Sequence, residues 1–173
     1  MEQTEKDRIT AEAKCLIASA YFNMFRHYGG LPLIKSSFSG TESSYQLPRA
    51  SVKNTVNFMV GLLDEAINTS ALTWAYSSDE ASSETGHWTK AGAMALKCKI
   101  LQFAASPLFN ATQGYYGGTT EAEKDSLAWY GDYDKSRWTA CKNACKAFFD
   151  ALSTNGGYAL VQPTENTQEG YRY

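Results

Sequence analysis

Four cysteines and two histidines are the residues of this chain with the strongest metal-binding chemistry. Cys141 and Cys145 stand one helical turn apart, a spacing that could begin a metal site, but no further ligands lie near them in sequence. No two cysteines form a C-x-x-C motif. Because free cysteine behaves as a compact hydrophobic side chain, we interpret this pair as core residues. We predict no metal site and no cofactor.

The carboxylates do not form a recognisable catalytic pair. Asp64 and Glu65 are neighbours, and neighbours on a helix point about 100° apart, so they cannot flank one glycosidic bond. Three further aspartates could offer oxygen ligands to calcium: Asp125, Asp132 and Asp134. They lack the full spacing of a calcium loop, so we interpret them as solvated. The glycine-rich segment 114–118 lacks the Lys-Ser/Thr ending of a phosphate loop and predicts a turn. We predict no catalytic residues.

Aromatic side chains are frequent, at 13% of the chain, with 11 Tyr and 4 Trp. Tyr and Trp combine an apolar ring with a polar tip, which suits half-wet recognition surfaces. Five of them lie in segments without helical periodicity and are our candidate ligand-binding residues: Trp74, Tyr115, Tyr116, Trp129 and Tyr130. The alternative is that these rings pin their loops onto the helices, and the sequence leaves both interpretations open.

The overall charge argues against two classes of partner. A formal net charge of -2 and an isoelectric point near 5.7 give no basic stripe, so we expect neither nucleic acid nor an anionic membrane surface as a partner. No apolar run approaches the roughly 20 residues needed to cross a bilayer. The first eight residues are too polar for a signal peptide. We expect the chain as given to be soluble.

Apolar periodicity predicts four long helices. The first runs from Ile9 to Tyr28 and ends at Gly29-Gly30, where a left-handed cap is favourable. Its predicted buried face comprises Ala13, Leu16, Ile17, Ala20, Tyr21, Met24, Phe25 and Tyr28. Ser51 is placed to cap the second helix, in which Gly61 predicts a close helix contact.

The third and fourth helices carry similar boundary signals. Thr89 is placed to cap a third helix that is apolar nearly all round, which is typical of a central helix, and Pro107 lies just past its end. Asp134 is placed to cap the fourth helix, which ends at Gly156-Gly157. Its apolar stripe is predicted to be core: Trp138, Cys141, Cys145, Phe148, Phe149 and Leu152. A weaker pattern predicts a short helix from 121 to 129.

Four long helices, long loops and almost no alternating strand pattern predict an all-α fold. Unequal helix lengths favour antiparallel helix pairs stacked side by side, as in a tetratricopeptide-like array, although no strict 34-residue period is visible. We predict a single helical domain over residues 1–173, with the helical scaffold at 1–161 and an irregular tail at 162–173.

Two segments then resemble the signatures of the SusD/RagB family. Residues 11–34, AEAKCLIASAYFNMFRHYGGLPLI, resemble an E-A-x-x-L-R-A-x-x-Y-F-x-L helix running into Y-G-x-x-P-L, with Ile17 in place of the usual arginine. Residues 86–97, GHWTKAGAMALK, continuing to AASPLFN at 104–110, resemble the second signature. Between them Arg49-Ala50-Ser51 resembles the family's R-x-S cap. The order and spacing agree, and the resemblance covers roughly residues 9 to 161.

The resemblance implies a SusD-like fold and a role in nutrient uptake. Such proteins are noncatalytic lipoproteins on the cell-surface face of the outer membrane. They capture oligosaccharides, or sometimes peptides, and sit as a lid over a SusC-like TonB-dependent transporter. Family members typically run to several hundred residues, so we expect this chain to be an internal piece of a larger protein, whose lipid anchor lies outside it.

Two other functional classes remain as alternatives. The helix pairs could form a protein-interaction scaffold that binds no sugar. A helical glycoside hydrolase would need two paired carboxylates about 5 to 10 Å apart in a cleft. Binding of a soluble oligosaccharide separates the first class from glycan capture, and the arrangement of the carboxylates tests the second.

Overall fold

The computed structural model describes residues 1–160, and that part of the chain is helical without any β-strand. The helices are α1 (Gln3–Tyr28), α2 (Val52–Asn68), α3 (Ala81–Glu84), α4 (Lys90–Ala105), α5 (Glu121–Lys124) and α6 (Lys135–Asn155). The predicted all-α class is confirmed. The predicted tail at 162–173 lies outside the described residues. No helix within the described range is both long enough and apolar enough to cross a membrane.

The four long helices form one row in which each packs against the next: α1 on α2, α2 on α4, and α4 on α6. The end of α1 lies beside the start of α2, where the Ala50 N–H donates to the Leu31 carbonyl at 3.0 Å. Further along, Lys14 of α1 forms a 2.8 Å ion pair with Glu65 near the end of α2. The two helices therefore run antiparallel, as predicted for stacked helix pairs.

Helix boundaries follow the local sequence signals. Ser51, Thr89 and Asp134 accept hydrogen bonds from backbone N–H groups in the first turns of α2, α4 and α6, so all three predicted caps are confirmed. These bonds satisfy donors that have no partner within the helix. Gly29 ends α1 with a φ of 70°, and α4 ends at Ala105, ahead of the proline.

The buried face of α1 differs from the predicted one. Leu16, Ile17, Met24 and Tyr28 are exposed. The residues buried on α1 are Ala11, Cys15, Ala18, Tyr21, Phe22 and Phe25. The prediction is confirmed for Tyr21 and Phe25 but was wrong for the other residues of the face, because α1 carries apolar residues on more than one side and α2 and α4 cover only one of them. Small side chains on the covered side let the neighbouring helix approach closely.

Phe25 lies at the centre of the core and is fully buried. Its ring stacks on Phe109 at 4.8 Å between centroids and meets Phe103 of α4 edge-on at 6.2 Å. Met59 of α2 and Ile100 of α4 are also fully buried in this cluster. The predicted central position of α4 is confirmed, because α4 contacts α1, α2 and α6.

The fourth long helix, α6, packs far more loosely than predicted. Trp138 is 41% exposed and Phe149 is 62% exposed, while Phe148 is half-buried. Only Cys141 of the predicted stripe is fully within the core. The prediction that Trp138, Phe148 and Phe149 are core residues was wrong, because α6 packs on α4 alone among the long helices and one neighbour covers only part of an apolar stripe.

Two smaller expectations also change. Gly61 has no atom of a neighbouring element within 4 Å of the position its Cβ would occupy, so the predicted close helix contact there was wrong. The helix predicted from 121 to 129 ends as α5 at Lys124. Ser126 then adopts a φ of 56°, which turns the chain away from the helix.

Candidate functional site

The five candidate aromatic residues do not share one site. Tyr115, Tyr116 and Trp129 line a single open pocket of about 290 Å³, together with Leu108, Ala128 and Glu123. Tyr130 and Trp74 lie elsewhere and are held by other contacts. The pocket formed by the first three is the candidate functional site, and we call it the tyrosine pocket. Ligand contact by any of the five stays a prediction.

Tyr115 and Tyr116 project into solvent at the mouth of the tyrosine pocket. Their side chains are 81% and 68% exposed. The two ring centroids lie 5.2 Å apart and the ring planes are nearly perpendicular, at 83°. Neither ring pins its loop to the helices. The two rings therefore present faces in two directions, and each face can pack against an apolar surface of a ligand.

A buried carboxylate holds the turn that carries the tyrosines. Glu123 accepts hydrogen bonds from the backbone N–H groups of Tyr116 at 2.8 Å and Gly118 at 3.1 Å, and from the Thr120 hydroxyl at 3.2 Å. A β-carbon on Gly114 would collide with the carboxylate of Glu123. The predicted turn at 114–118 is confirmed, and the carboxylate at its centre fixes the backbone beneath the rings.

Glu123 remains ionised in this position. Loss of hydration on burial opposes its charge, but the hydrogen bonds from Tyr116, Thr120 and Gly118 outweigh that effect and hold the pKa of Glu123 below its usual value. Because these bonds occupy both carboxylate oxygens, the group serves the turn and is not a free catalytic acid or base.

Glu123 was missed by the sequence analysis, although a signal for it was present. Thr120 and Glu123 have the S/T-x-x-E spacing of a capping box, and Thr120 does cap α5. In the usual box the glutamate bonds back to the cap residue's own N–H. Here it reaches instead to Tyr116 and Gly118, a use that the spacing alone does not predict.

Trp129 forms the floor of the pocket and is buried. Its indole N–H donates to the Glu123 carbonyl at 3.0 Å, within the same loop. Only a part of the ring thus faces the pocket. For this residue the alternative interpretation, that the aromatic ring anchors its loop, describes most of its contacts.

The chain behind the tyrosine pocket is anchored to the ends of α1 and α2. The Leu127 carbonyl accepts from the Gly30 N–H at 2.7 Å, and the Ser126 carbonyl accepts from the Val52 N–H at 2.9 Å. A β-carbon on Gly30 would collide with the Ala50 carbonyl. The first signature's Gly-Gly turn is therefore required by packing, and it positions the segment that carries the pocket floor.

Arg49 completes this junction. Its guanidinium donates to the carbonyls of Gly30 at 2.9 Å and Tyr28 at 2.5 Å, both at the end of α1. A cation at the C-terminal end of a helix is favourable because the free carbonyls there carry partial negative charge. The R-x-S segment thus caps two helices at once, with Arg49 on α1 and Ser51 on α2.

Tyr130 is half-buried and faces a different side of the loop. The guanidinium of Arg137 lies over its ring at 3.9 Å, and burial raises the pKa of Tyr130 to about 12. Arg137 also forms a 2.6 Å ion pair with Asp132. This ring is occupied by a cation from the protein itself and does not join the tyrosine pocket.

Trp74 lies far along the chain from the other candidates and contacts the end of α6. Its indole N–H donates to the Gly156 carbonyl at 2.8 Å. Its ring centroid lies 6.1 Å from those of Phe148 and Tyr158. These contacts tie the loop before α3 to the end of α6, which agrees with an anchoring role.

A second cleft, of about 620 Å³, lies between the first half of α1 and the end of α2. Charged side chains line it, and the Arg8 side chain at its edge contacts Glu12 and Glu84, each at 3.3 Å. Arg8 fills the space between these two carboxylates, where a glycosidic bond would have to lie in a hydrolase. His87 is hydrogen-bonded to Glu12 at 2.9 Å in the same network.

Cys15 and Cys141 are buried, whereas Cys98 and Cys145 are half-buried, so the predicted core position is confirmed for Cys141 and was wrong for Cys145. Burial raises the pKa of Cys15 to about 11. Burial, together with the neighbouring Cys145 thiol, raises the pKa of Cys98 to about 12, so both groups are protonated thiols at neutral pH. Among residues 1–160, no three His, Cys, Asp or Glu side chains are grouped so as to hold a metal ion.

The comparisons with known proteins found similar proteins among solved structures. No family model and no curated protein matches the chain. A SusD-like protein from Bacteroides fragilis is 27% identical with a TM-score of 0.65, covering 99% of this chain and 25% of its own length. The protein BT4246 is 28% identical with a TM-score of 0.74, covering 91% of this chain and 26% of its own length.

A third solved structure is a laminarin-binding SusD-like protein, which is 27% identical with a TM-score of 0.50, over 68% of this chain and 26% of its own length. The chain thus spans about a quarter of the length of the structures that it matches. The two signature segments, the antiparallel packing of α1 on α2 and these similarities agree with one another. The chain has the SusD-like helical fold and is similar in sequence to SusD-like proteins over 91–99% of its length.

Proposed function

We propose that this chain is part of a noncatalytic glycan-binding protein and that the tyrosine pocket contacts the sugar. The observation that carries the proposal is the pair of exposed, perpendicular rings of Tyr115 and Tyr116 on a turn fixed by Glu123. Aromatic faces pack against the C–H faces of pyranose rings, while phenolic hydroxyls satisfy sugar hydroxyls. A fixed turn lowers the ordering cost of binding.

The similarity to a laminarin-binding SusD-like protein supports glycan binding as the general role. Among the described residues that line the tyrosine pocket, the one carboxylate is that of Glu123, and its bonding to the turn supports a noncatalytic role. Each ring contact is modest, so an extended oligosaccharide would use several contacts, some of them outside this chain.

The test is calorimetric titration of the chain with soluble oligosaccharides. We expect Tyr115→Ala and Tyr116→Ala each to weaken binding by about tenfold, the cost typical of losing an important interface side chain. Tyr45→Ala is the matched control, since Tyr45 is also exposed but lies on the loop between α1 and α2. Equal affinity for the parent chain and both pocket variants would show that the pocket does not bind the sugar.

We further propose that the complete protein is lipid-anchored at the cell-surface face of the outer membrane and acts with a SusC-like TonB-dependent transporter. The resemblance of the two signature segments to the SusD/RagB family supports this role. A gene for such a transporter next to the gene for this protein, together with co-purification of the two products from detergent, is the expected result. Separate genes and no complex would argue against the partnership.

A protein-interaction scaffold without sugar binding is the second candidate. The exposed apolar residues of α6 favour it, because Trp138 and Phe149 lie on a helix surface that no described residue covers fully. Polar replacement of both residues should then abolish partner binding, and the parent chain should bind none of the soluble oligosaccharides. Oligosaccharide binding that depends on Tyr115 and Tyr116 would argue against this second candidate.

A further inference from the structure

We infer that the tyrosine pocket selects uncharged glycans and rejects chains of uronic acids or sulfated sugars. This inference rests on the proposed function and adds the chemical class of the ligand. Its basis is the charge of the segment that carries the pocket. Residues 107–134 contain five carboxylates and one lysine, a formal charge of -4 at neutral pH.

The one lysine of this segment cannot offset that charge at the pocket. Lys124 forms a 2.9 Å ion pair with Glu121, so the pair contributes little net charge. The nearest arginine that contacts the segment, Arg137, is paired with Asp132 and lies over the ring of Tyr130. None of the described residues that line the tyrosine pocket is basic.

The negative charge also lies close to the rings. The Glu123 carboxylate contacts the Tyr116 N–H at 2.8 Å and lines the pocket, and its hydrogen bonds keep it ionised. Asp125 lies two residues from Glu123, so its charge is within about one Debye length of that carboxylate at physiological salt. A carboxylate or sulfate on the ligand would meet this negative charge with no basic side chain among the described pocket-lining residues, whereas an uncharged pyranose would meet no such repulsion.

The experiment compares two size-matched ligands on the whole chain: a neutral glucan oligosaccharide and an oligogalacturonate. At low ionic strength we expect the neutral ligand to bind at least about tenfold more tightly. Added salt should leave the neutral affinity nearly unchanged and should strengthen binding of the oligogalacturonate, because salt screens repulsion.

A charge-neutralised variant sharpens the test. Glu121→Gln combined with Asp125→Asn makes the segment more positive by two charges, because it frees Lys124 from its ion pair and removes the Asp125 carboxylate. Glu123 and both rings stay in place, and the ratio of the two ligand affinities should fall severalfold. Glu2→Gln combined with Asp7→Asn is the matched control. These residues lie at the other end of α1, about 33 to 40 Å from the Gly29-Gly30 turn by helix rise, so the difference between the two ligand affinities should persist.

The outcomes separate the two levels of the proposal. Binding of both ligands with equal affinity, and loss of both in Tyr115→Ala, would overturn the charge selection and leave glycan binding intact. The charge selection would also be overturned if the Glu121→Gln/Asp125→Asn variant showed the same ratio of ligand affinities as the Glu2→Gln/Asp7→Asn control. Binding of neither ligand, or binding that is indifferent to Tyr115 and Tyr116, would overturn the proposed function and this inference with it.

Discussion

The two outer helices of the row, α1 and α6, are similar in character but are buried very differently. Both helices are long and carry apolar residues at helical spacing, and each lies at one end of the row of packed helices. Six side chains of α1 are buried, including the aromatic rings of Phe22 and Phe25. On α6 only Cys141 is buried, and Phe149 remains 62% exposed.

The difference arises from the neighbours and not from the helices themselves. α1 packs along α2, touches α4, and receives Phe109 from the chain after α4 against its Phe25 ring. α6 contacts α4 only among the long helices. Apolar periodicity therefore identifies a helix that can be buried on one side. The number of neighbouring elements decides how much of that side is removed from water.

The strongest test of this comparison removes one phenylalanine from each helix. Phe25→Ala should destabilise the fold by about 3–5 kcal/mol, because it leaves a cavity in the centre of the core. Phe149→Ala should change stability by about 0.5 kcal/mol or less, since the ring is mostly in water already. Denaturant unfolding of the two variants gives both values, and similar losses would show that α6 is buried in solution.

A somewhat smaller effect is expected where α1 ends. Gly30→Ala places a methyl group against the Ala50 carbonyl, so the junction of α1, α2 and the pocket segment must shift, at a cost of about 1–3 kcal/mol. Gly61→Ala is the control within α2, where the added methyl group meets open space. It should stabilise the helix by up to about 1 kcal/mol.

Thermal unfolding distinguishes these two glycine variants directly. A lower midpoint for Gly30→Ala and an equal or higher midpoint for Gly61→Ala are expected. If both substitutions are neutral, the backbone at Gly30 has room to adjust, and the packed end of α1 is less constrained than its contacts indicate.

The smallest expected effect concerns the turn that holds the tyrosines. The folded pKa of Glu123 is depressed, so its contribution to stability is present above the unfolded value of about 4.3 and is lost as the pH falls through the lower folded value. Glu123→Gln should therefore lower the unfolding midpoint by a few degrees at pH 7 and by progressively less below pH 4.

Glu121→Gln is the control for this pH dependence. Glu121 is exposed and pairs only with Lys124, so its loss should leave the midpoint nearly unchanged at each pH. A difference between the parent chain and Glu123→Gln that persists undiminished at low pH would show that ionisation is not what holds the turn.

The correct predictions concern residues whose role depends only on their near neighbours in sequence. Ser51, Thr89 and Asp134 cap their helices as predicted, because a cap requires only the next three residues. The stop at Gly29-Gly30 and the turn at 114–118 also followed from local chemistry. The signature segments indicated the family before any distance was known.

The candidate site was predictable only in part. The exposure of Tyr115 and Tyr116 agrees with their loop position, but the separation of Tyr130 and Trp74 from them depends on Arg137 and on the end of α6. Glu123 was overlooked because its carboxylate bonds to residues that precede it by five and seven positions. These hydrogen bonds depend on how the turn at Gly114 folds back over the Glu123 carboxylate.

The sequence by itself determined where α2, α4 and α6 begin and where α1 and α6 end, since hydrogen-bond caps and glycine stops act within a single turn of chain. It did not determine the start of α1, which begins at Gln3 and not at Ile9 and has no side-chain cap. Only the tertiary structure decided which face of α1 enters the core and how much of α6 stays in water. Both helices are apolar on more surface than their neighbours can cover. Burial depends on which elements arrive from distant parts of the chain, and periodicity within one helix holds no information about them.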